Sequence, residues 1–306
     1  MSFHPIQAAF MALTLSLGLQ IVLPTVLTLL ADTLLGTDLK GQAQHPGQFK
    51  GIETAVYKVI IILTQTLGIG VVAFGVAYGS GDTLKELRLK MPANPILIAL
   101  AVACMLVALP FIQYTVFSPD NFRLPEAFRG LEDAMREMEA ANERMLTPLL
   151  ATGLPLTLAA IALTPGIMEE LLFRGVIQSS FARRVSPHVA IWLAAILFST
   201  IHFQVYGFLG RALLGAGFGY LCWWSGSIWP AIAAHATNNA VSAVAAYLNT
   251  QGTAPEITDE NASVPIWAAL LSLAATLGLL RVFRKQSEKS YDAYSDPYND
   301  SRNDES

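Results

Sequence analysis

Charged residues are scarce in this sequence. They make up 14% of its 306 residues, whereas a soluble globular protein usually carries about 25%. The shortage is concentrated in stretches that contain no Asp, Glu, Lys or Arg. These stretches are residues 1–31, 59–81, 91–119, 145–168, 185–210, 212–255 and 261–280. Each is at least about as long as the ~20 apolar residues that a helix needs to cross a bilayer. This pattern excludes a soluble enzyme and a disordered chain, and it predicts an integral membrane protein.

Cysteine and basic residues are also in short supply. The two cysteines, Cys104 and Cys222, both lie in apolar stretches, so neither a disulfide framework nor a cysteine metal site is expected. The net charge is −4 and the isoelectric point about 5.7, which leaves no basic face for a nucleic acid. The sequence also lacks a His-Glu-x-x-His zinc helix, a Gly-x-Ser-x-Gly elbow and a phosphate-binding loop.

Every membrane span is expected to be helical, because backbone polar groups find no water to bond in hydrocarbon. The sequence therefore predicts an all-α, polytopic transmembrane bundle. About eight spans are predicted, at roughly 8–31, 56–78, 94–116, 149–182, 188–204, 208–224, 228–248 and 264–282. With eight spans, the Lys and Arg clusters of three loops lie on one side, which predicts that both termini are cytoplasmic. We expect the protein in a bacterial inner (plasma) membrane, with its first apolar run retained as a span.

The chain divides into four predicted regions. Residues 1–147 hold the first three spans and an amphipathic interfacial helix at 125–146, interpreted as a packed connector rather than a substrate gate. Residues 148–248 form a catalytic helical core. Residues 249–285 form an outer loop and the last span, and residues 286–306 a disordered polar tail. The apolar stripe of the amphipathic helix consists of Phe128, Leu131, Met135, Met138 and Met145.

Two adjacent acids lie in the middle of the fourth predicted span. Glu169 and Glu170 are the only acidic residues between Arg144 and Glu256. A charged side chain costs on the order of 3 kcal/mol within a membrane, so such residues indicate function. Glu170 precedes Arg174 by four residues, the favoured order for an ion pair that supports the site. The Glu169 side chain points about 100° away from that of Glu170 around the helix axis. Glu169 is the candidate general base.

Two histidines lie deep in apolar stretches. Glu169 comes 17 residues before Ser186 and His202 comes 16 residues after it, so an antiparallel hairpin turning there would bring them to matching height. His235 and Asn239 are four residues apart and project from one face of the seventh span, where they could stabilise an anion. From the residues alone, interhelical hydrogen bonding accounts for this second pair equally well.

These residues form three motifs on successive spans. The motifs are Glu169-Glu170-x-x-x-Arg174, Phe198-x-x-x-His202 and His235-x-x-x-Asn239. In this order they resemble the CPBP family, the CAAX prenyl endopeptidases and bacteriocin-processing homologues also called the ABI family. The Gly-Ser-Ile-Trp-Pro segment at 226–230 and the small-residue run at 214–217 are similar as well. The resemblance covers roughly residues 148–248.

The resemblance implies an intramembrane endopeptidase acting on a membrane-associated protein or peptide, of which a CAAX-type prenylated protein is one option. If the roles of the matching family residues apply here, Glu169 activates a water that His202 orients, while His235 and Asn239 stabilise the oxyanion. Glu170 and Arg174 support the site. Family members have been described both as metalloproteases and as glutamate proteases that need no zinc. We favour the metal-free scheme; the alternative is a zinc ion held by Glu169, His202 and His235.

Two other functions compete with the protease. In a proton-coupled membrane transporter, the same acids and His202 would relay a proton, although no internal repeat is visible. A non-catalytic membrane immunity module would keep the bundle without chemistry, but it has no need for all four candidate catalytic residues. Membrane lipid and a membrane-associated substrate are the expected partners.

Overall fold

The regular secondary structure of this protein is helical throughout the described part of the chain, which confirms the all-α prediction. The computed structural model describes residues 4–42, 51–80, 85, 87–116, 124–150, 153–252 and 264–291. Its main helices are α1 (Pro5–Leu35), α2 (Ile52–Gly79), α3 (Ile96–Tyr114), α4 (Arg129–Leu150), α5 (Leu154–Ala182), α6 (Pro187–Thr200), α7 (Phe208–Ser225), α8 (Trp229–Thr250) and α9 (Ile266–Tyr291).

Five of these helices are long and apolar enough to cross a membrane, namely α1, α2, α3, α5 and α9. The predicted count of about eight spans is not confirmed. Helix α6 is apolar but has only 14 residues, whereas α7 and α8 carry polar residues such as Arg211, His235 and Asn239. Of the long fourth predicted span, 149–182, residues Leu154–Ala182 form one helical stretch, α5, while its first two residues end α4.

Helix α4 forms where an amphipathic helix was predicted, after a short 3₁₀ turn at Glu126–Phe128. Of the apolar stripe, Met135 is buried, but Phe128, Leu131 and Met138 are exposed. Its placement at a membrane interface stays a prediction. The predicted polar tail begins inside α9, which continues to Tyr291. The rest of that tail and most of the outer loop, 253–263, lie outside the described residues.

Helix α5 is irregular in its hydrogen bonding. A π-helical segment, Ala159–Leu163, comes just before Thr164-Pro165-Gly166, and a second one covers Leu171–Gln178. Irregular bonding is expected there because Pro165 has no N–H to donate. The Thr164 hydroxyl also donates to the Ala159 carbonyl at 2.7 Å. Such π-helical segments are rare and often occur at functional sites.

The helices pack in two groups that meet at α8. Helix α3 lies against α8 and α9, while α1 packs on α2 and on the second π-helical segment of α5. Helix α6 packs along α7. Close approach depends on small residues, as expected where apolar helices pack within lipid. A Cβ on Gly166 of α5 would come within 3.1 Å of the Ala236 backbone on α8, and a Cβ on Gly215 within 3.2 Å of Ala195 on α6.

The 226–230 segment noted in the sequence joins α7 to α8 and is tied to the loop after α2. The Ile228 N–H donates to the Arg88 carbonyl at 3.0 Å. The Ser227 hydroxyl donates to the Lys90 carbonyl and the Trp229 indole N–H to the Leu89 carbonyl, each at 2.8 Å. Because α8 begins at Trp229, these bonds fix the position of the helix that carries His235.

Replacing Gly166 with leucine is expected to push α5 and α8 apart, because the Ala236 backbone cannot yield to a side chain. Overpacking of this kind costs about 1–3 kcal/mol. Gly217→Leu on α7 is the matched control, since a Cβ there meets no atom within 4 Å. Thermal unfolding in detergent should show a lower midpoint for Gly166→Leu alone. Equal midpoints for the two variants would contradict the close contact.

Candidate active site

Glu169 lies in α5 and its carboxylate faces both histidines. Its Oε2 atom is 3.8 Å from Nε2 of His235 and 4.0 Å from Nε2 of His202. The structure thus brings Glu169 and His202 together, as counting along the hairpin predicted. All three residues come from separate parts of the bundle: α5, α8 and the turn that follows α6.

Glu170 is fully buried and binds two cationic or potentially cationic groups through one oxygen. Its Oε1 atom accepts from Nη1 of Arg174 at 2.9 Å and lies 2.8 Å from Nδ1 of His235. Arg174 also donates from Nη2 to the Gly215 carbonyl of α7 at 2.8 Å. The predicted ion pair therefore forms and extends to two further helices. His235 contacts both adjacent glutamates, one through each ring nitrogen, although their side chains point in different directions.

Two phenylalanine rings enclose the buried arginine. The Arg174 guanidinium lies 5.0 Å from the Phe198 ring centroid and 5.5 Å from that of Phe218, within the range for cation–π attraction. Phe218 stacks on His235 with centroids 4.9 Å apart, and the edge of Phe198 meets His202. Sequence reasoning missed Phe218, because one more aromatic residue in an apolar helix gives no distinguishing signal.

The hydrogen bonds of the two imidazoles fix where their protons lie. His202 Nδ1 is 2.7 Å from the Phe198 carbonyl, which can only accept, so Nδ1 carries the hydrogen. His235 Nδ1 likewise faces the Glu170 carboxylate. In their neutral forms, both histidines therefore present an Nε2 lone pair toward Glu169. When both histidines are neutral, three hydrogen-bond acceptors face one another, which leaves room for a donor between them.

Asn239 lies one turn beyond His235 on α8, as its spacing predicted. Its Oδ1 atom accepts a hydrogen bond from Nδ2 of Asn238 at 3.2 Å. This bond uses the oxygen of the Asn239 amide, so the NH₂ group of Asn239 can still donate to another partner. Asn238 thereby orients the amide of its neighbour.

The three side chains of the zinc alternative converge in the structure, and zinc binding by them stays a prediction. Glu169 is 3.8 Å and 4.0 Å from the two histidines, whereas ligands at zinc bond lengths of ~2.0–2.1 Å lie roughly 3.3 Å apart in a tetrahedral site. Within the described parts of the chain, no group of three or more His, Cys, Asp and Glu side chains is arranged to hold a metal ion.

The cluster holds two carboxylates, Glu169 and Glu170, beside one guanidinium, Arg174, and two imidazoles. With both acids ionised, one further proton on any of these groups makes the cluster neutral. His235 is the histidine in hydrogen-bond contact with a carboxylate.

Comparison with known proteins identifies one matching domain. Residues 151–241 match the family model described as type II CAAX prenyl endopeptidase Rce1-like. The match covers under a third of the chain, includes every candidate site residue, and confirms the resemblance seen in the sequence. It supports a CAAX-type intramembrane protease and does not favour the transporter or immunity-module alternatives. No curated protein and no solved structure matches the chain.

Arg174→Met is expected to destabilise the protein by about 3–5 kcal/mol, because it leaves the Glu170 charge buried without its partner. Arg284→Met is the matched control. Arg284 pairs with Glu288 at the same i,i+4 spacing and the same 2.9 Å distance, but both side chains are about 60% exposed. Exposed pairs contribute about 0–1 kcal/mol. The free energy of unfolding in detergent is measured for both variants. Similar losses of stability would show that burial does not strengthen the Glu170–Arg174 pair.

Proposed function

We propose that this protein is an intramembrane endopeptidase that hydrolyses a peptide bond of a membrane-associated protein or peptide. One observation carries the proposal: the Glu169 carboxylate faces the Nε2 atoms of His202 and His235 inside a domain that matches a CAAX prenyl endopeptidase family. A CAAX-type prenylated protein is the proposed substrate class. The five helices long enough to cross a bilayer support an integral membrane protein, which we place in a bacterial inner membrane with cytoplasmic termini.

Water is activated between Glu169 and His202. A water there donates one hydrogen to Glu169 Oε2 and the other to the lone pair of His202 Nε2, which turns an oxygen lone pair toward the substrate carbonyl. Glu169 takes the first proton as the water oxygen bonds to the carbonyl carbon. The carbonyl π electrons move onto its oxygen and form the tetrahedral oxyanion. The Phe198 carbonyl keeps His202 in the required tautomer.

The oxyanion is stabilised from α8. His235 in its doubly protonated form donates Nε2–H, and Glu170 at 2.8 Å balances its charge. Asn239 donates from the amide end that Asn238 leaves unused. When the tetrahedral intermediate collapses, the C–N bond breaks and the amine nitrogen takes the proton held by Glu169. Donors aimed at developing charge in a site with little water are worth far more than in solvent.

Glu169→Ala is expected to slow peptide cleavage at least ~100-fold, because a general base contributes about 10²–10⁴. The assay uses purified protein in detergent and a quenched-fluorescence peptide that ends in a farnesylated cysteine followed by three residues. The unprenylated peptide tests whether the lipid is recognised. Glu126→Ala, at an acid whose side chain is 80% exposed, should behave as wild type. Full activity of Glu169→Ala would refute the mechanism.

Chelators are expected to leave the cleavage rate unchanged, since the proposed steps use only the side chains of the site. The rate is measured before and after incubation with EDTA and with 1,10-phenanthroline. Farnesylated peptide at one concentration serves for all samples. A rate that falls under chelation and returns when zinc is added would contradict the metal-free scheme.

A further inference from the structure

Arg211 is a charge that the proposed mechanism leaves without a role. It is the only Asp, Glu, Lys or Arg between Arg184 and Glu256. It lies in the first turn of α7, the helix that follows the turn containing His202. A lone guanidinium in such an apolar stretch is costly, and its contacts show what it does there.

His202 differs from the other site residues because it lies beyond the end of a helix, although Phe198 of α6 contacts its ring. Helix α6 ends at Thr200, and His202 belongs to the turn that follows. We define the His202 loop as residues 201–207, which join α6 to α7. Phe203 in this loop has φ 53°, a left-handed backbone that a bulky side chain rarely adopts. Such a conformation persists only where surrounding contacts hold it.

Arg211 contacts the loop at Gln204 and Gly207. Its Nη1 donates to the Gln204 side-chain oxygen at 2.8 Å, and its Nη2 donates to the Gln204 backbone carbonyl. The guanidinium also covers Gly207, where a Cβ would come within 2.9 Å of Nη1. From the other end, the Ser199 hydroxyl donates to the Phe208 carbonyl at 2.7 Å. Hydrogen bonds therefore hold the chain both before and after His202.

We infer that Arg211 is a positioning residue that holds His202 at the correct distance from Glu169 by fixing the His202 loop through Gln204. This inference rests on the proposed function. A planar guanidinium can bind two acceptors of one residue at once, which a lysine ammonium cannot match in geometry. Gln204 also donates to Glu139 of α4 at 3.5 Å, so the loop is linked to the helix outside the family match.

The inference is tested with Arg211→Gln and Arg211→Lys, with Arg184→Gln as the control. Arg184 is an exposed arginine of the α5–α6 connection. We expect kcat of Arg211→Gln to fall about 10–100-fold, because small misplacements of a catalytic group cost rates of this order. KM should change less than about threefold. Arg211→Lys should recover part of kcat, and Arg184→Gln should match wild type.

A peptide pair separates positioning from substrate binding. The farnesylated peptide is compared in its free-carboxylate form and its C-terminal amide form. A positioning role predicts the same loss of kcat on both peptides. A loss confined to the free carboxylate, with a raised KM, would show that Arg211 binds the substrate anion and would overturn the inference.

Amide hydrogen exchange supplies a readout that does not depend on activity. In Arg211→Gln, the backbone amides of residues 203–209 should exchange faster than in wild type, while those of α8 stay unchanged. If Arg211→Gln does not fold, Gln204→Ala removes one of the two acceptors and should show the same changes to a smaller degree. Inactivity of the wild type would refute the proposed function alone, and unchanged exchange in the loop would refute the positioning role.

Discussion

The site depends on the bonds that the Glu170 carboxylate makes with Arg174 and His235. It is fully buried, and one oxygen binds Arg174 of its own helix and His235 of α8. A buried charge is tolerated only when it is paired and hydrogen-bonded, so both partners must stay in place while the protein is folded. Arg174 in turn binds the Gly215 carbonyl of α7. Glu170 and its partner Arg174 thus link α5, α7 and α8, and the bond from Glu170 orients the His235 ring.

The second consequence of this pairing is chemical. Because Glu170 occupies Nδ1 of His235, only Nε2 of that ring faces Glu169. The two adjacent acids therefore hold different positions although they contact the same imidazole. In the proposed mechanism, Glu170 orients the ring and Glu169 takes a proton. The π-helical segment begins directly after Glu170, and Arg174, Gln178 and Ser179 in and beside it are all buried.

Sequence reasoning located the candidate site because charge is so costly in apolar stretches. Glu169, Glu170 and Arg174 stood out for that reason, and periodicity alone predicted the Glu170–Arg174 pair. The number of spans was harder, since α7 and α8 combine apolar length with polar site residues. The contacts of Phe218 with Arg174 and His235 depend on how distant parts of the chain pack. The Arg211–Gln204 contact is local, but it depends on the conformation of the loop, which no residue pattern indicates.

The site is asymmetric in its exposure, and this asymmetry follows from how its residues are held. The His235 side chain is 5% exposed and is fixed by a helix, a carboxylate and a stacked ring, whereas the His202 side chain is 28% exposed and is held by a loop. In the proposed mechanism, water and substrate reach Glu169 from the more exposed side, which is the His202 side. In the same proposal, the short loop that Arg211 and Ser199 hold leaves this side accessible and keeps His202 near Glu169.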